Sequence, residues 1–160
     1  MDLNRHRELV RSRKKDFKEI FKRFRQMDDH RLDDLFHEAH EQAFREIDCL
    51  QCANCCKTTS PRLYPRDIEE MAASLRIRPA EFMSKYVRVD EDGDYVFNQA
   101  PCPFLAEDNY CRIYLHRPKA CREYPHTNRK KIVQILDLTL ENLKICPAVL
   151  SMVNRIVSKI

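Results

Sequence analysis

The chain has 160 residues, 43% of them hydrophobic, and a formal net charge of +4, which suit one domain with a modest core. Its single glycine, Gly93, excludes the glycine-rich phosphate loops of nucleotide-binding proteins and favours a mostly helical fold. The mild charge and the absence of tryptophan argue against a nucleic-acid-binding surface.

The first 48 residues carry a helical pattern and contain neither proline nor glycine. Leu3, Val10, Phe17 and Phe24 recur at a spacing that places them on one face of a helix. A second helical stripe follows a break near Asp28. Residues 1–48 are therefore predicted to form a helical extension or hairpin that packs on the core.

Charge divides this extension into two halves. Residues 1–25 hold ten Lys or Arg and four acids, whereas residues 26–50 hold two Arg and eight acids. Charge runs on helices usually face water, so we interpret both halves as solvated helix faces. The alternative is that the charged N-terminal helices bind a protein partner.

Proline and glycine mark the helix starts and a turn in residues 65–97. Pro65 and Pro79 are each predicted to begin a helix, because proline suits the first helical position. The β-rich stretches 86–90 and 95–97 flank a polar turn that contains Gly93, which predicts a hairpin.

Three further segments bring cysteines into the C-terminal half. Cys102 and Cys111 lie on either side of a second polar turn, and Cys121 lies in a single helical turn between prolines. Residues 129–145 are open between strand and helix. Cys146 precedes Pro147 and is predicted to cap a terminal helix.

The eight cysteines are the strongest functional signal. They are Cys49, Cys52, Cys55, Cys56, Cys102, Cys111, Cys121 and Cys146. Thiolates are good ligands for zinc and iron, and two-residue gaps let several sulfurs reach one ion, so we predict that all eight bind metal. Disulfides and scattered buried thiols are the alternatives. The chain opens without an apolar signal segment and has no membrane-spanning run, which predicts a cytoplasmic protein with reduced thiols.

The number of sulfurs suits two four-cysteine centres. Adjacent cysteines usually point in different directions, so Cys55 and Cys56 indicate either two centres or one multinuclear centre. The working hypothesis assigns them to different centres. One predicted set is Cys49, Cys52, Cys55 and Cys146, and the other is Cys56, Cys102, Cys111 and Cys121. The first set resembles the ferredoxin run that ends in Cys-Pro, which favours an iron-sulfur cluster of the 4Fe-4S type, but zinc sites use the same gaps.

Charged neighbours of the cysteines are the next candidates. Arg117 and Arg122 are candidate hydrogen-bond donors around the thiolates, with surface ion pairing as the equal alternative. His116 and His126 are candidates for an extra ligand or proton carrier. The histidines of the acidic segment, including His37 and His40, are expected to be ordinary surface residues.

Taken in order, these elements resemble the bacterial YkgJ-like cysteine-cluster family, which has a C-x-x-C-x-x-C-C signature. Cys49 to Cys56 carry that signature here, and the likeness continues through Cys102-Pro103-Phe104-Leu105, Cys111-Arg112-Ile113-Tyr114, Arg117-Pro118, Cys121-Arg122-Glu123-Tyr124-Pro125 and Cys146-Pro147. The resemblance covers roughly residues 49–150 and implies a domain that chelates zinc or iron. Ala53 departs from it, because family members commonly have glycine there.

The predicted fold is α+β and mostly helical, with an N-terminal extension at 1–48 and a small metal-centred domain with short β-hairpins at 49–160. The predicted function is a metal-binding protein whose iron-sulfur or zinc centre serves electron transfer, iron handling or redox sensing. The alternative is a zinc-stabilised interaction module without redox chemistry. An enzymatic role, as a component of an iron-sulfur oxidoreductase, is left open.

Overall fold

Helices dominate the structure, a computed structural model that describes residues 2–160. Within those residues the elements are α1 (Leu3–Ser12), α2 (Lys14–Arg25), α3 (Asp29–Glu46), α4 (Cys49–Cys52), α5 (Asn54–Thr58), β1 (Arg62–Leu63), α6 (Pro65–Ser74), α7 (Pro79–Tyr86), β2 (Val87–Val89), β3 (Tyr95–Phe97), α8 (Lys119–Glu123), α9 (Leu136–Ile145) and α10 (Pro147–Val157). Short 3-10 helices lie at Tyr114–His116 and Ile132–Ile135. No helix among residues 2–160 has the length and apolar character needed to cross a membrane.

The predicted α+β class, mostly helical, is confirmed. One antiparallel sheet of order β1-β3-β2 accompanies the helices. The hairpin between β2 and β3 forms as predicted, and Gly93 has φ +82° in its turn, where a left-handed backbone suits glycine. Pro65, Pro79 and Pro147 each occupy the start of a helix.

The chain forms two compact units. The first comprises the chain up to Asp48 together with Pro125–Ile160, and the second comprises Cys49–Tyr124. The sequence-based division into domains at 1–48 and 49–160 stays a prediction.

The first unit has a large apolar core between its helices. In this unit α3 packs along α10, while α1 and α2 pack against α9. Phe24 and Phe36 meet edge to face, with ring centroids 5.7 Å apart. The core consists of Val10, Phe17, Ile20, Phe21, Phe24, Leu32, Phe36, Ala39, Ala43, Ile132, Leu136, Leu143, Ala148, Val149, Leu150, Met152, Val153 and Ile156.

Polar side chains of α3 hold the segment that leads into α9. Nδ1 of His37 lies 2.6 Å from Oδ1 of Asn128, and Nδ1 of His40 lies 2.9 Å from Oγ1 of Thr127. The Asp33 carboxylate accepts the backbone N–H groups of residues 131 and 132, at 2.6 and 2.8 Å. His37 is exposed, as expected of a surface residue, whereas His40 is half-buried. The sequence left residues 129–145 open between strand and helix. The structure shows helix, because a 3-10 helix leads directly into α9.

The acids of α3 pair with cations of the C-terminal helix and its end. Glu46 contacts Arg155 and Glu38 contacts Lys159, each with an N–O distance of 2.6 Å. The basic half of the extension is arranged differently, because Lys22 pairs with Glu19 inside α2 and Arg25 pairs with Asp137.

The second unit has a smaller core, which is centred on aromatic rings. Phe104 contacts Phe82, Tyr86 and Phe97, with ring centroids between 4.9 and 6.1 Å apart. The buried members are Leu63, Ile68, Met71, Ala72, Phe82, Phe97, Phe104 and Ile113. Cys102 and Cys111 pack against this core, which fixes the segments that carry them.

Candidate metal centre

The first four cysteines lie on two very short helices. Cys49 and Cys52 are the ends of α4, and Cys55 and Cys56 lie in α5. Between the helices Ala53 has a left-handed backbone, with φ +47° and ψ +18°, and its surface is 3% exposed. Glycine would suit such a backbone, whereas the Cβ of alanine is strained there.

Cys102 and Cys111 are brought together by a tight turn. The N–H of Cys102 donates to the carbonyl oxygen of Cys56 at 2.8 Å. Leu105 and Cys111 form an antiparallel bridge, and Asn109, with φ +69°, lies in the turn between them. Its side-chain amide donates to the carbonyl oxygen of Gln51 at 3.2 Å, which links this turn to α4.

Cys121 lies in the first turn of α8, as the flanking prolines predicted. Its N–H donates to the carbonyl oxygen of Pro118 at 2.9 Å. Arg117 stacks over the ring of Tyr114, with its Cζ 3.9 Å from the ring centroid, and Nη1 of Arg117 donates to the carbonyl oxygen of Tyr114. Arg122 in turn donates to the carbonyl oxygen of Arg117.

Besides burial, the charge of Cys56 raises the pKa of three thiols that lie elsewhere in the chain. Burial raises the pKa of Cys121 to about 12, and the charges of Cys56, Cys102 and Cys111 raise it further. Burial likewise raises the pKa of Cys102 to about 11, with added effects from Cys56 and Cys111. The pKa of Cys111 is raised by burial and by Cys56. The charge of Cys56 thus acts on thiols from three other positions, Cys102, Cys111 and Cys121.

Two features of the surroundings favour thiolates. A hydrogen bond from Cys55 lowers the pKa of Cys56 to about 7, and Lys57 adds to that effect. The charge of Arg117 lowers the pKa of both Cys111 and Cys121 against the larger effect of burial. Arg117 thus acts on the thiols, whereas the contact of Arg122 fixes the backbone of Arg117.

The donor set suits zinc or iron. All eight cysteines carry thiols in the described residues, and four thiols in one neighbourhood are the ligands that both metals prefer. Within residues 2–160, no three His, Cys, Asp or Glu side chains are already arranged around a common point that could hold an ion. The metal-binding role of the eight cysteines stays a prediction.

The remaining predicted ligands differ in how far they are exposed. Cys49 is exposed, and Cys52 and Cys55 are half-buried. Cys146 belongs to the first unit, where it packs against the apolar core and precedes α10 at its N-cap position, as predicted. The proposed set of Cys49, Cys52, Cys55 and Cys146 is not tested by these positions.

The two histidines named as extra ligands lie in different settings. His116 ends the 3-10 helix Tyr114–His116, and His126 has a left-handed backbone with φ +64°. Their roles as ligand or proton carrier stay predictions.

Asp67 is a buried residue of this unit that the sequence did not single out. It is 5% exposed, and its carboxylate accepts two backbone N–H groups, from Tyr64 and from Lys119, each at 2.9 Å. The only signal in the sequence was an acid in the first turn of a helix that begins with proline. An acid at this position accounts for the hydrogen bond from the N–H of Tyr64, but it does not account for the hydrogen bond from the N–H of Lys119 in α8.

Comparison with known proteins shows that the cysteine pattern matches a family model. A family model matches residues 48–142, which is more than half of the chain, and its description reads "CxxCxxCC: Putative zinc- or iron-chelating domain". The chain belongs to this CxxCxxCC family. The CxxCxxCC match includes seven of the eight cysteines and ends before Cys146. No curated protein and no solved structure matched the chain.

Proposed function

We propose that this member of the CxxCxxCC family holds a metal centre, either iron-sulfur or zinc, through its clustered cysteines. The observation that carries the proposal is the backbone arrangement of the cysteine segments: the N–H of Cys102 donates to the carbonyl oxygen of Cys56 at 2.8 Å, and the bridge between Leu105 and Cys111 closes the turn between Cys102 and Cys111. Besides burial, the charge of Cys56 also raises the pKa of Cys102, Cys111 and Cys121. Neighbouring thiolates repel each other, and a bound cation offsets that repulsion. The proposed first centre uses these four sulfurs.

An iron-sulfur centre would give the protein a role in electron transfer, iron handling or redox sensing. The spacing of Cys49, Cys52 and Cys55 supports this version, because it matches the ferredoxin run. These three cysteines would be ligands of a second centre. Arg117, whose charge acts on Cys111 and Cys121, would tune the first centre. Such thiols would stay reduced in the cytoplasm, the compartment that we propose.

A zinc-stabilised module is the second candidate. The core of the unit Cys49–Tyr124 has eight buried apolar residues, whereas the core of the other unit has eighteen. A small core benefits from a structural metal, and zinc supplies folding free energy without redox chemistry. In this version the charged N-terminal helices would bind a protein partner.

Elemental analysis and a visible spectrum test the proposal. The protein would be purified anaerobically from cells without added metal. About eight iron atoms per chain, with sulfide and brown colour, would support two iron-sulfur clusters, whereas about two zinc atoms and no colour would support the structural module. Protein without stoichiometric metal would contradict both versions.

Single substitutions test the ligand sets. Cys121→Ser should remove metal from the first centre alone, and Cys52→Ser should remove metal from the second alone. Each variant should therefore lose about half of the bound metal. Serine is the matched replacement, because it changes the sulfur to oxygen and keeps the shape. Loss of all metal in both variants would contradict the assignment to two separate centres.

A further inference from the structure

The N-terminus of α8 has no capping group of its own. Its N-cap residue is Pro118, which has no side-chain acceptor. The N–H of Lys119, the first residue of α8, donates instead to Oδ1 of Asp67, at 2.9 Å and 52 positions earlier in the chain. Asp67 therefore supplies the missing cap from α6.

The position of Asp67 is itself fixed on both sides. Its other oxygen, Oδ2, accepts the N–H of Tyr64 at 2.9 Å, at the start of α6. The next residue, Ile68, is 4% exposed in the core of the unit, and Met71 one turn later is fully buried. A carboxylate held in this way defines where the first turn of α8 lies.

That first turn carries Cys121, two residues after Lys119. Cys121 is the thiol that all three of its neighbours Cys56, Cys102 and Cys111 influence. Because α8 has only five residues, it has too few internal hydrogen bonds to hold its position alone.

We infer that Asp67 is a positioning residue for metal binding, because its carboxylate caps α8 and holds Cys121 among the other three thiols of the cluster. The inference rests on the proposed function. Asp67 would not touch the metal; it would act through the backbone of Lys119. Residues that orient ligands in this way typically change metal affinity about tenfold or more when they are lost.

Two substitutions remove the contact from opposite ends. Lys119→Pro deletes the donor N–H and leaves Asp67 bonded to Tyr64. Proline is tolerated at a first helical position, and the extended backbone of Pro118, with φ −54° and ψ +153°, suits a following proline. Asp67→Asn keeps the size of the side chain but offers one acceptor oxygen to two N–H groups, and its NH2 group then faces the other donor, so the carboxylate can no longer join Tyr64 to Lys119.

Two matched controls keep the contact. Lys119→Ala removes the same side chain as Lys119→Pro, including its exposed contact with Glu123, but retains the N–H. Glu81→Gln neutralises the acid in the first turn of α7, which also begins with proline, at an exposed position.

The readout that does not depend on metal is the reaction rate of each thiol with iodoacetamide in metal-free full-length protein, followed by peptide mass spectrometry. We expect Cys121 to react about tenfold faster in Lys119→Pro and Asp67→Asn, and at the unchanged rate in both controls. Zinc or iron affinity should fall about tenfold in the same two variants.

Unchanged reactivity of Cys121 in both variants would overturn the inference. An equal rise for every cysteine, with earlier thermal unfolding in both variants, would also overturn it, since Asp67 would then be a general stabiliser. Wild-type protein that binds neither metal would refute the proposed function, and with it the role in metal binding. The alkylation rates would still show whether Asp67 positions Cys121.

Discussion

Nδ1 of His40 lies 2.9 Å from the hydroxyl oxygen of Thr127, whose side chain is completely buried. Burial lowers the pKa of His40, the charge of His37 lowers it further, and Glu41 opposes them. At a pH between the lowered pKa of folded His40 and its higher pKa in the unfolded chain, the unfolded chain binds more protons than the folded protein. The first unit should therefore lose stability as the pH falls through about 6.5.

Thermal unfolding between pH 8 and pH 5 checks this prediction. His40→Asn keeps a polar atom near the position of Nδ1 but cannot be protonated, so it should flatten the dependence on pH. His30→Asn is the control, because His30 is exposed on the same helix. Equal flattening by both substitutions would show that the contact with Thr127 is not responsible.

Asp33 should stabilise the first unit by holding the start of the 3-10 helix before α9. Its carboxylate accepts two backbone N–H groups, and charge-assisted bonds of this kind are stronger than neutral ones. Asp33→Ala should lower the free energy of unfolding by about 2 kcal/mol, measured by urea titration. Asp34→Ala, at the adjacent exposed position, should change it by less than about 0.5 kcal/mol. Similar losses in both variants would exclude the capping role.

Ala53 should tolerate glycine but not a branched side chain. At φ +47° valine is strongly disfavoured, whereas glycine adopts this backbone freely but loses a buried methyl group. Ala53→Val should destabilise the second unit by about 2 kcal/mol, and Ala53→Gly should be near neutral. Urea unfolding of the metal-free proteins provides the comparison. Equal stability of the two variants would contradict the strain at this position.

Removal of metal should affect the two units differently. The second unit has the smaller core and contains the four neighbouring thiols, so a chelator should accelerate amide exchange across Cys49–Tyr124 by at least about tenfold. Exchange in α3 and α10, which pack on each other in the large core, should stay unchanged. Hydrogen exchange with mass spectrometry, with and without chelator, measures both. Unchanged exchange in Cys49–Tyr124 would show that metal does not stabilise this unit.

Local signals in the sequence predicted the helix starts and the hairpin turn, but they did not predict contacts between residues that are far apart in the chain. Helix starts at Pro65, Pro79 and Pro147 and the turn at Gly93 depend on a few neighbouring residues, so they could be predicted from residue type. The bond from Lys119 to Asp67 joins residues 52 positions apart and depends on how α6 and α8 pack. No spacing rule relates two such positions.

The same limit applies to the first unit. The charges of α3 predict a solvated face, and nothing in the sequence indicates that His40 and His37 contact residues 127 and 128. The sequence showed complementary charge in residues 1–25 and 26–50, but Glu38 and Glu46 pair with the C-terminal segment instead. The ion-pair and hydrogen-bond partners of α3 depend on which helices lie next to it, and the packing of the whole unit decides which helices do.

The ion pairs of α3 also affect how the protein behaves on a charged support. Since Glu38 and Glu46 pair with Lys159 and Arg155, they do not neutralise the cations of α1 and α2. Arg11 near the end of α1 and Lys14 and Lys18 of α2 are exposed, and no carboxylate within residues 2–160 forms an ion pair with them. These cations concentrate positive potential that the net charge of +4 understates. The protein should therefore elute from a cation-exchange column at a higher salt concentration than a protein of equal net charge with evenly spread charges.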